Sequence, residues 1–281
     1  IPVLANGLVN ADVLDDLLEQ HNSVDGTAYV AIQLVNSETG VVQPVAEIAR
    51  NVRLRGGYVL CDAVQAADRV PIDARELGVD FLMLSAHKIG GPQGAGALIN
   101  VHSILDMNPA IRGGAQEKNK RAGTENVAAI VGFGAAAEEA KAELSQFHKI
   151  SALKGSIEEQ LLPICQSYGL SERLVVFGAD ADRVGNTVSF SVRGLNAETA
   201  VIAFDLDGVS VSSGSACSSG KVARSHVLAA MGLDEETARG AIRVSLGWNS
   251  SQADVEKFIS AFDRITKRLS EMVVTEWSGA A

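Results

Sequence analysis

The chain has few cysteines and no long apolar run. The first shortage argues against disulfide-rich and zinc-binding proteins, and the second against membrane-spanning proteins. Three cysteines among 281 residues, none of them in a CxxC pair, argue against a disulfide framework or a zinc site. No apolar run reaches the roughly 18 residues that cross a bilayer, and the start has no signal-peptide pattern. We therefore expect no metal and no membrane, and a reducing compartment, the cytoplasm.

Positive charge is also scarce. Lys and Arg total 24 against 34 Asp and Glu, which gives a formal net charge of -10. Such a balance disfavours nucleic acid or an anionic membrane as a partner. The basic residues between positions 112 and 121 form a local exception, which we interpret as a solvated loop that includes cofactor contacts.

The pattern along the chain predicts an α/β fold in two domains. Short β-rich runs alternate with amphipathic stretches, as a mostly parallel sheet requires. Residues 125–162 are typical of a long helix that can bend, and we place the domain junction within it. The prediction is a large α/β domain at 1–143 and a smaller α+β domain at 144–281.

The predicted elements of the two domains differ in type. In the large domain they are strands 29–35, 57–61 and 81–85 and helix 45–55. In the small domain they are strands 174–177, 187–192, 209–212 and 242–245 and helices 197–206, 225–231 and 252–271.

One lysine lies between an apolar strand and a glycine-rich turn. Residues 79–84 are typical of a buried strand, and the glycines and proline of 90–94 then turn the backbone. Lys88 is thus expected at a strand end, facing a cleft. Partial removal from water favours its free amine, which can form a Schiff base or transfer a proton. The alternative is a lysine in a solvated loop.

A carboxylate ends the preceding predicted strand. Asp62 follows an apolar run, and the Gln65 amide lies three residues later. Because the ends of parallel strands meet in one crevice, Asp62 and Lys88 can contact one ligand. Pyridoxal phosphate needs such a pair: a lysine for its aldehyde and an acid that keeps its ring nitrogen protonated. Taken alone, Asp62 is equally compatible with a helix N-cap.

A cysteine within a run of small residues is the third candidate. Cys217 lies in residues 212–220, where no apolar neighbour would bury it, and an accessible thiolate is nucleophilic. Cys61 and Cys165 lie in apolar stretches and are expected to be buried. A flexible linker that happens to contain a cysteine is the alternative for 212–220.

These candidates belong to a larger set of motifs, which resembles the cysteine desulfurases. These are fold-type I enzymes of the class V aminotransferase family that depend on pyridoxal phosphate. The resemblance runs from about residue 7 to about residue 269, and the region of Cys217 is similar to the group that supplies sulfur for iron-sulfur clusters and nitrogenase. The motifs are Asn36-Ser37-Glu38-Thr39-Gly40, Cys61-Asp62-Ala63-Val64-Gln65, Ser85-Ala86-His87-Lys88, Arg121-Ala122-Gly123-Thr124, Ser213-Gly214-Ser215-Ala216-Cys217 and Ile242-Arg243-Val244-Ser245-Leu246-Gly247.

The resemblance implies a role for each cofactor-binding candidate. Lys88 would bind the cofactor covalently and later move the α-proton of the substrate. Asp62 would pair with the pyridinium nitrogen and Gln65 with the phenolic oxygen. Ser85 and His87 would hold the phosphate in the same subunit.

Further residues would act on a partner subunit and on the substrate. Thr124 would reach the phosphate of the partner subunit, which implies a homodimer. From the residues alone, Thr124 is also the expected N-cap of the helix that follows it. Arg243 would clamp the substrate carboxylate with its guanidinium fork, assisted by Asn36.

Two regions depart from the family pattern. The family usually has Asn at the position of Ser37, near the cofactor ring. Residues 1–10 resemble the middle of a family member, so the large domain is expected to be N-terminally incomplete. The absent segment would supply a phosphate-binding turn and a ring-stacking histidine. We therefore expect weak cofactor binding by this chain alone.

The resulting hypothesis is conversion of L-cysteine to L-alanine with transfer of sulfur to Cys217. The persulfide would pass its sulfur to an acceptor or scaffold protein for iron-sulfur cluster assembly or a related delivery. A second interpretation is a selenocysteine lyase or another class V aminotransferase-like enzyme, in which Cys217 is incidental. A third is an inactive, cofactor-free scaffold, because the phosphate-binding segment is absent.

Overall fold

The computed structural model describes residues 1–21, 26–102, 107–213 and 225–278, with side chains up to residue 273. The described residues fall into two compact units. One comprises 11–35 and 43–145, and the other comprises 1–10, 36–42 and the chain from 146 onward. We call them the parallel-sheet unit and the antiparallel-sheet unit, after the sheets described below.

The parallel-sheet unit contains four strands and four α-helices within the described residues. Helix α2 joins β1 to β2, because two parallel neighbours need a crossover connection. A 3₁₀ helix, Ala86–Ile89, follows β3 directly. The elements are α1 Ala11–Gln20, β1 Tyr29–Gln33, α2 Val45–Leu54, β2 Tyr58–Asp62, β3 Phe81–Ser85, β4 Gly96–Asn100, α3 Gln116–Asn119 and α4 Val127–Glu143.

The register of this sheet brings two strand ends together. The strand order is β1-β2-β3-β4, with β1, β2 and β3 parallel and β4 antiparallel to β3. Asp62, the last residue of β2, lies opposite Met83 of β3. The carboxyl ends of β2 and β3 therefore carry the residues around Asp62 and Ser85 at one edge of the sheet.

The antiparallel-sheet unit is built around a fully buried strand. Its sheet has the order β5-β6-β8-β7, and each neighbouring pair is antiparallel. Every residue of β6 is buried. The elements are α5 Phe147–Ser167, β5 Leu174–Val176, β6 Thr187–Val192, α6 Ala197–Leu206, β7 Ser212–Ser213, α7 His226–Ala230, α8 Glu235–Arg239, β8 Ile242–Ser245 and α9 Gln252–Ser278.

Aromatic side chains fill the core of this second unit. The ring of Phe190 in β6 packs edge-on against Phe262 of α9, with centroids 5.4 Å apart. Phe204 of α6 stacks on Phe258 at 5.3 Å. Because such rings bury large apolar areas in defined geometries, they fix α6 and α9 on the sheet.

Several predicted elements match the structure at both ends. They are strands 81–85, 187–192 and 242–245 and helix 197–206. The strand predicted at 209–212 is shorter than expected, because the Val209 amide donates to the Phe204 carbonyl at the end of α6 and ladder pairing starts only at Ser212. Strand β4 and helix α1 have no counterpart among the sequence predictions.

The long helix predicted at 125–162 is two helices. A 3₁₀ turn, Leu144–Gln146, separates α4 from α5. The prediction of Thr124 as N-cap is wrong: Asn126 is the N-cap, and its side-chain oxygen accepts from Ala129 N at 3.2 Å. Helix α5 continues to Ser167 through Pro163.

The division into units differs from a single boundary at 143/144. Residues 36–42 belong with the second unit, because Val42 N donates to Asp182 O at 2.8 Å and Val184 N donates to Gly40 O at 2.9 Å. The two domains at 1–143 and 144–281 stay a prediction. None of the helices in the described ranges combines the length and apolarity that a bilayer crossing needs.

Candidate active site

Close packing fixes the backbone around Lys88. The 3₁₀ helix Ala86–Ile89 contacts α4 in the same unit. A Cβ added at Gly132 of α4 would lie 2.6 Å from Pro92 Cγ, so only glycine permits this approach. The turn after Lys88 is therefore pressed against a helix, which limits how far the lysine backbone can shift.

The Lys88 side chain is half-buried and has no partner in the part of the chain that the structure describes. Across the described ranges, no hydrogen bond or ion pair involves its amine. A half-buried amine without a counter-charge is available for a ligand, since neither a carboxylate nor a carbonyl holds it. This agrees with a covalent or proton-transfer role, which stays a prediction.

Asp62 is half-buried at the end of β2 and is oriented by its own turn. Its Oδ1 accepts a hydrogen bond from Val64 N at 2.9 Å. This bond closes a turn, and no helix begins there, so the N-cap alternative is not observed at Asp62. Its Oδ2 has no hydrogen-bond partner in the described part of the chain. One oxygen thus fixes the carboxylate, and the other can accept from a ligand.

The other cofactor-binding candidates offer donors of several kinds. Ser85 Oγ and the exposed His87 Nδ1 lie 2.9 Å apart and share a hydrogen bond whose direction depends on the imidazole tautomer. Gln65 is half-buried, and its side-chain amide has no partner within the described residues. Thr124 is exposed, two residues before the N-cap of α4.

This set of side chains fits pyridoxal phosphate. The unpartnered Lys88 amine matches its aldehyde, and the free oxygen of Asp62 matches a protonated ring nitrogen. The hydroxyl of Ser85 and the imidazole of His87 match a phosphate. All four residues belong to the parallel-sheet unit: Asp62 and Ser85 end β2 and β3, and His87 and Lys88 lie in the 3₁₀ helix that follows β3.

The antiparallel-sheet unit holds both predicted substrate-binding residues, Asn36 in a turn at 36–40 and Arg243 in β8. Asn36 is buried, and its Oδ1 accepts from Glu38 N at 2.9 Å and from Thr39 N at 3.0 Å. That oxygen therefore organises the turn itself. A role for Asn36 in substrate binding stays a prediction and would have to use its Nδ2.

Arg243 is attached to this turn through one nitrogen. Its Nη1 donates to the Ser37 carbonyl at 2.8 Å, and its Nη2 lies 3.5 Å from Ser212 Oγ. Its Nε is buried and has no partner among the described residues. A guanidinium held at one nitrogen with an unmatched Nε is suited to a planar anion such as a carboxylate.

Two of the three cysteines lie within the described residues. Cys61 and Cys165 are buried, as predicted. Burial, assisted by the Asp62 charge, raises the pKa of the Cys61 thiol to about 12. Burial alone raises the pKa of Cys165 to about 11. Neither forms a thiolate near neutral pH. Cys217 lies outside the described residues, and its role stays a prediction.

No metal-binding cluster occurs in the described ranges, where no group of three His, Cys, Asp or Glu side chains is arranged to hold an ion.

A buried contact between Glu38 and Ser225 has no counterpart in the sequence predictions. The Ser225 hydroxyl donates to Glu38 Oε2, and both residues are buried. They are 187 positions apart, so no local pattern links them. The one available signal is a charged residue inside an otherwise uncharged motif, Asn36-Ser37-Glu38-Thr39-Gly40.

Comparison with known proteins identifies the family. The model for "Aminotransferase class-V" matches residues 1–258. The chain belongs to the class V aminotransferase family. Members of this family and cysteine desulfurases depend on pyridoxal phosphate, which confirms the expected cofactor at the level of the family.

Curated relatives agree with this assignment. The chain is 34% identical to "Cysteine desulfurase IscS" of Methanosarcina thermophila over 97% of its own length and 64% of the relative. It is 35% identical to the protein of that name from Dictyoglomus turgidum, over 96% of its own length and 66% of the relative. The chain thus spans about two thirds of the length of the curated relatives it matches.

Solved structures confirm the fold. A NifS-like protein from Rickettsia africae aligns with a TM-score of 0.84 and 38% identity, covering 94% of this chain and 68% of that one. A second NifS-like protein aligns with a TM-score of 0.78 and 30% identity, covering 94% and 66%. The predicted α/β fold of the fold-type I enzymes is therefore confirmed.

Proposed function

We propose that the chain acts as a cysteine desulfurase, which converts L-cysteine to L-alanine and transfers the sulfur to Cys217. The observation that carries this proposal is a half-buried Lys88 amine that has no partner among the described residues. It lies in the 3₁₀ helix after β3, the strand that pairs with the end of β2 bearing Asp62. The similarity of the chain to curated cysteine desulfurases over nearly its whole length supports it.

The residues of the parallel-sheet unit act on the cofactor. Pyridoxal phosphate, when bound, supplies an aldehyde and an electron-accepting ring. Lys88 Nζ would hold the aldehyde and would later take the proton from Cα of the substrate. Asp62 Oδ2 would accept from the ring nitrogen and keep it protonated, and the Gln65 amide would donate to the phenolic oxygen. Ser85 and His87 would hold the phosphate.

Arg243 binds the carboxylate of the amino acid. Its Nη1 is occupied by the Ser37 carbonyl, and its Nη2 has only a long contact with Ser212. The Nε, which has no partner among the described residues, and the Nη2, whose bond to Ser212 Oγ is long, are therefore two donors in one plane for two carboxylate oxygens. Asn36 contributes its Nδ2 to the same group.

Sulfur transfer requires a nucleophile that belongs neither to the cofactor nor to the substrate, and the thiolate of Cys217 is this nucleophile. Its thiolate attacks the substrate sulfur, an S–S bond forms and the Cβ–S bond breaks. The electron pair of that bond stays on Cβ, which a proton then converts to the methyl group of alanine. The persulfide on Cys217 passes its terminal sulfur to an acceptor or scaffold protein, and iron-sulfur cluster assembly is the use we propose. The active form is a homodimer in which Thr124 reaches the phosphate of the partner subunit.

Replacement of the nucleophile tests this function. In the cofactor-loaded full-length protein, Cys217→Ala should lower reductant-dependent release of sulfide from L-cysteine by at least about 100-fold, because loss of a nucleophile removes a whole chemical step. The visible absorbance of the bound cofactor should not change. Cys165→Ala, which removes a buried thiol, is the matched control and should retain the activity.

Two results would contradict the proposal. Undiminished sulfide release by Cys217→Ala would make that thiol incidental, as in a selenocysteine lyase or another class V enzyme. Absence of cofactor absorbance from the unmodified full-length protein would instead indicate a cofactor-free scaffold.

A further inference from the structure

Glu38 is a buried carboxylate in the turn at 36–40, and one hydroxyl contacts it. Glu38 is only 8% exposed. Ser225, which donates to Glu38 Oε2, is 1% exposed. A hydrogen bond to a carboxylate is shorter and stronger than one between neutral groups, and a buried carboxylate without one is strongly disfavoured. The contact therefore ties the turn firmly to Ser225.

Ser225 is itself fixed to the core of the same unit. It is the N-cap of α7, and its Oγ accepts from Leu228 N at 3.1 Å while it donates to Glu38. Leu228 is 1% exposed and lies in a buried cluster with Phe177 and Met231. Glu38 is thus connected through one hydroxyl to a packed helix start.

The residue next to Glu38 holds Arg243. The Ser37 carbonyl accepts from Arg243 Nη1 at 2.8 Å. On the other side, the Asn36 side chain binds the amides of Glu38 and Thr39. The Ser37 carbonyl shares its peptide unit with the Glu38 N–H that Asn36 Oδ1 binds, and the Glu38 side chain that follows is held by Ser225. These two contacts flank the carbonyl that accepts from Arg243 Nη1.

We propose that Glu38 is a positioning residue for the carboxylate clamp, and that it acts through the Ser37 carbonyl on Arg243. The inference rests on the proposed function in one respect, namely that Arg243 binds the carboxylate of an amino acid. It adds that the selectivity for that carboxylate depends on a residue that does not touch the substrate.

The test compares two ligands that differ in the carboxylate. L-alanine carries it and ethylamine lacks it, and the visible absorbance of the cofactor reports the binding of each to the cofactor-loaded full-length protein. The measured quantity is the dissociation constant of ethylamine divided by that of L-alanine. In Glu38→Ala this ratio should fall about tenfold, the change expected for one lost hydrogen bond in the clamp, through weaker binding of L-alanine alone.

Further variants distinguish a specific effect on the position of Arg243 from a general loss of stability. Glu38→Gln keeps an acceptor for Ser225 and should lower the ratio by only about threefold, because a neutral hydrogen bond is weaker. Ser225→Ala should lower it as much as Glu38→Ala, and the double variant should lower it no further, since each substitution removes the bond between these two residues. The helix cap at Leu228 N, which Ser225→Ala also removes, should affect the binding of both ligands equally. If Glu38→Ala does not fold, the fall in Glu38→Gln decides alone, and an unchanged ratio there overturns the inference.

Two control variants disturb the same unit elsewhere. Asn196→Ala removes the N-cap of α6, where Asn196 Oδ1 accepts from Thr199 N at 3.1 Å. Tyr168→Phe removes the hydrogen bond to Asp263 at 3.1 Å. Both should leave the ratio unchanged, whereas a merely structural role of Glu38 would affect both ligands equally.

The outcomes distinguish failure of the inference from failure of the function. An unchanged ratio in Glu38→Ala, with a clear preference of the unmodified protein for L-alanine, overturns the positioning role alone. No preference for L-alanine in the unmodified protein shows that Arg243 is not a carboxylate clamp, and the positioning role falls with it.

Discussion

The two units present their candidate residues in opposite ways. In the parallel-sheet unit, Lys88 and the free oxygen of Asp62 have no protein partner within the described ranges. In the antiparallel-sheet unit, Asn36, Glu38 and Arg243 are held by hydrogen bonds to their surroundings. Groups that receive a large cofactor can take their partners from it. A clamp for a small amino acid needs to be held in place by the protein, because the substrate offers few contacts to order it.

The sheets explain part of this contrast. The strand ends of a parallel sheet place polar residues in loops at one edge, where a ligand completes their contacts. Arg243 lies instead within β8, which pairs with the fully buried β6 and with β7. The hydrogen bonds of β8 to its two neighbours restrict the backbone of Arg243 and thus the position from which its side chain extends.

The largest expected effect concerns the unpartnered oxygen of Asp62. Asp62→Asn keeps the bond to Val64 N but cannot hold the ring nitrogen protonated, so the rate of sulfide release should fall by about 1,000-fold, the scale of losing one preorganised electrostatic contact. Asp73→Asn is the matched control, because Asp73 accepts from Arg75 N at 2.8 Å in a similar turn of the same unit. If the rate of sulfide release in Asp62→Asn falls by less than about tenfold, Asp62 behaves like Asp73. The contrast between the two units would then not hold for Asp62.

A smaller effect tests whether the turn after Lys88 is rigid. Gly132→Ala places a methyl group 2.6 Å from Pro92 Cγ and should lower the free energy of unfolding by about 1–3 kcal/mol. Gly134→Ala, in open space on the same helix, should raise it by about 0.5–1 kcal/mol through helix propensity. Urea denaturation of both variants measures the difference. Equal effects of the two substitutions would show that Pro92 yields and that the turn is not held by α4.

The smallest expected effect concerns Asp234, a carboxylate of the antiparallel-sheet unit that accepts hydrogen bonds from Thr237. Hydrogen bonds from the backbone and side chain of Thr237 hold the pKa of Asp234 below its usual value, and nearby Arg193 adds to this. The ionised form therefore stabilises the fold above the unfolded pKa of about 4, and this contribution is lost as the pH falls through the lower folded pKa.

Substitution should reduce that pH dependence. Asp234→Asn should show a smaller loss of stability between pH 5 and pH 2 than the unmodified protein, measured by thermal unfolding at each pH. Glu235→Gln removes the neighbouring carboxylate, which bonds only loosely to Arg239 at 3.9 Å, and serves as the control. An identical pH dependence in Asp234→Asn would contradict the role of the Thr237 bonds.

Local patterns predicted the elements that carry the site. The apolar run before Ser85, the glycines after Lys88 and the carboxylate at the end of β2 are all contiguous signals, and the structure places them at adjacent strand ends. Helix α6 and strand β6 were likewise predicted with the bounds that the structure has.

Contacts that depend on distant residues could not be predicted this way. The Glu38–Ser225 bond joins positions 187 residues apart. Thr124 and Asn126 are both good N-cap residues, and only the geometry of the loop decides for Asn126. The membership of residues 36–42 in the second unit rests on bonds to Asp182 and Val184, which no sequence period reveals.

The role of Lys88 is tested most directly by finding the residue to which the cofactor is covalently attached. Borohydride reduction of the pyridoxal-phosphate-loaded full-length protein, followed by digestion and peptide mass spectrometry, fixes the cofactor where it is bound. We expect one modified residue, Lys88, and no modification in Lys88→Ala. A modified lysine elsewhere, such as Lys118 or Lys120, or an unmodified Lys88 in protein that retains the cofactor, would contradict it.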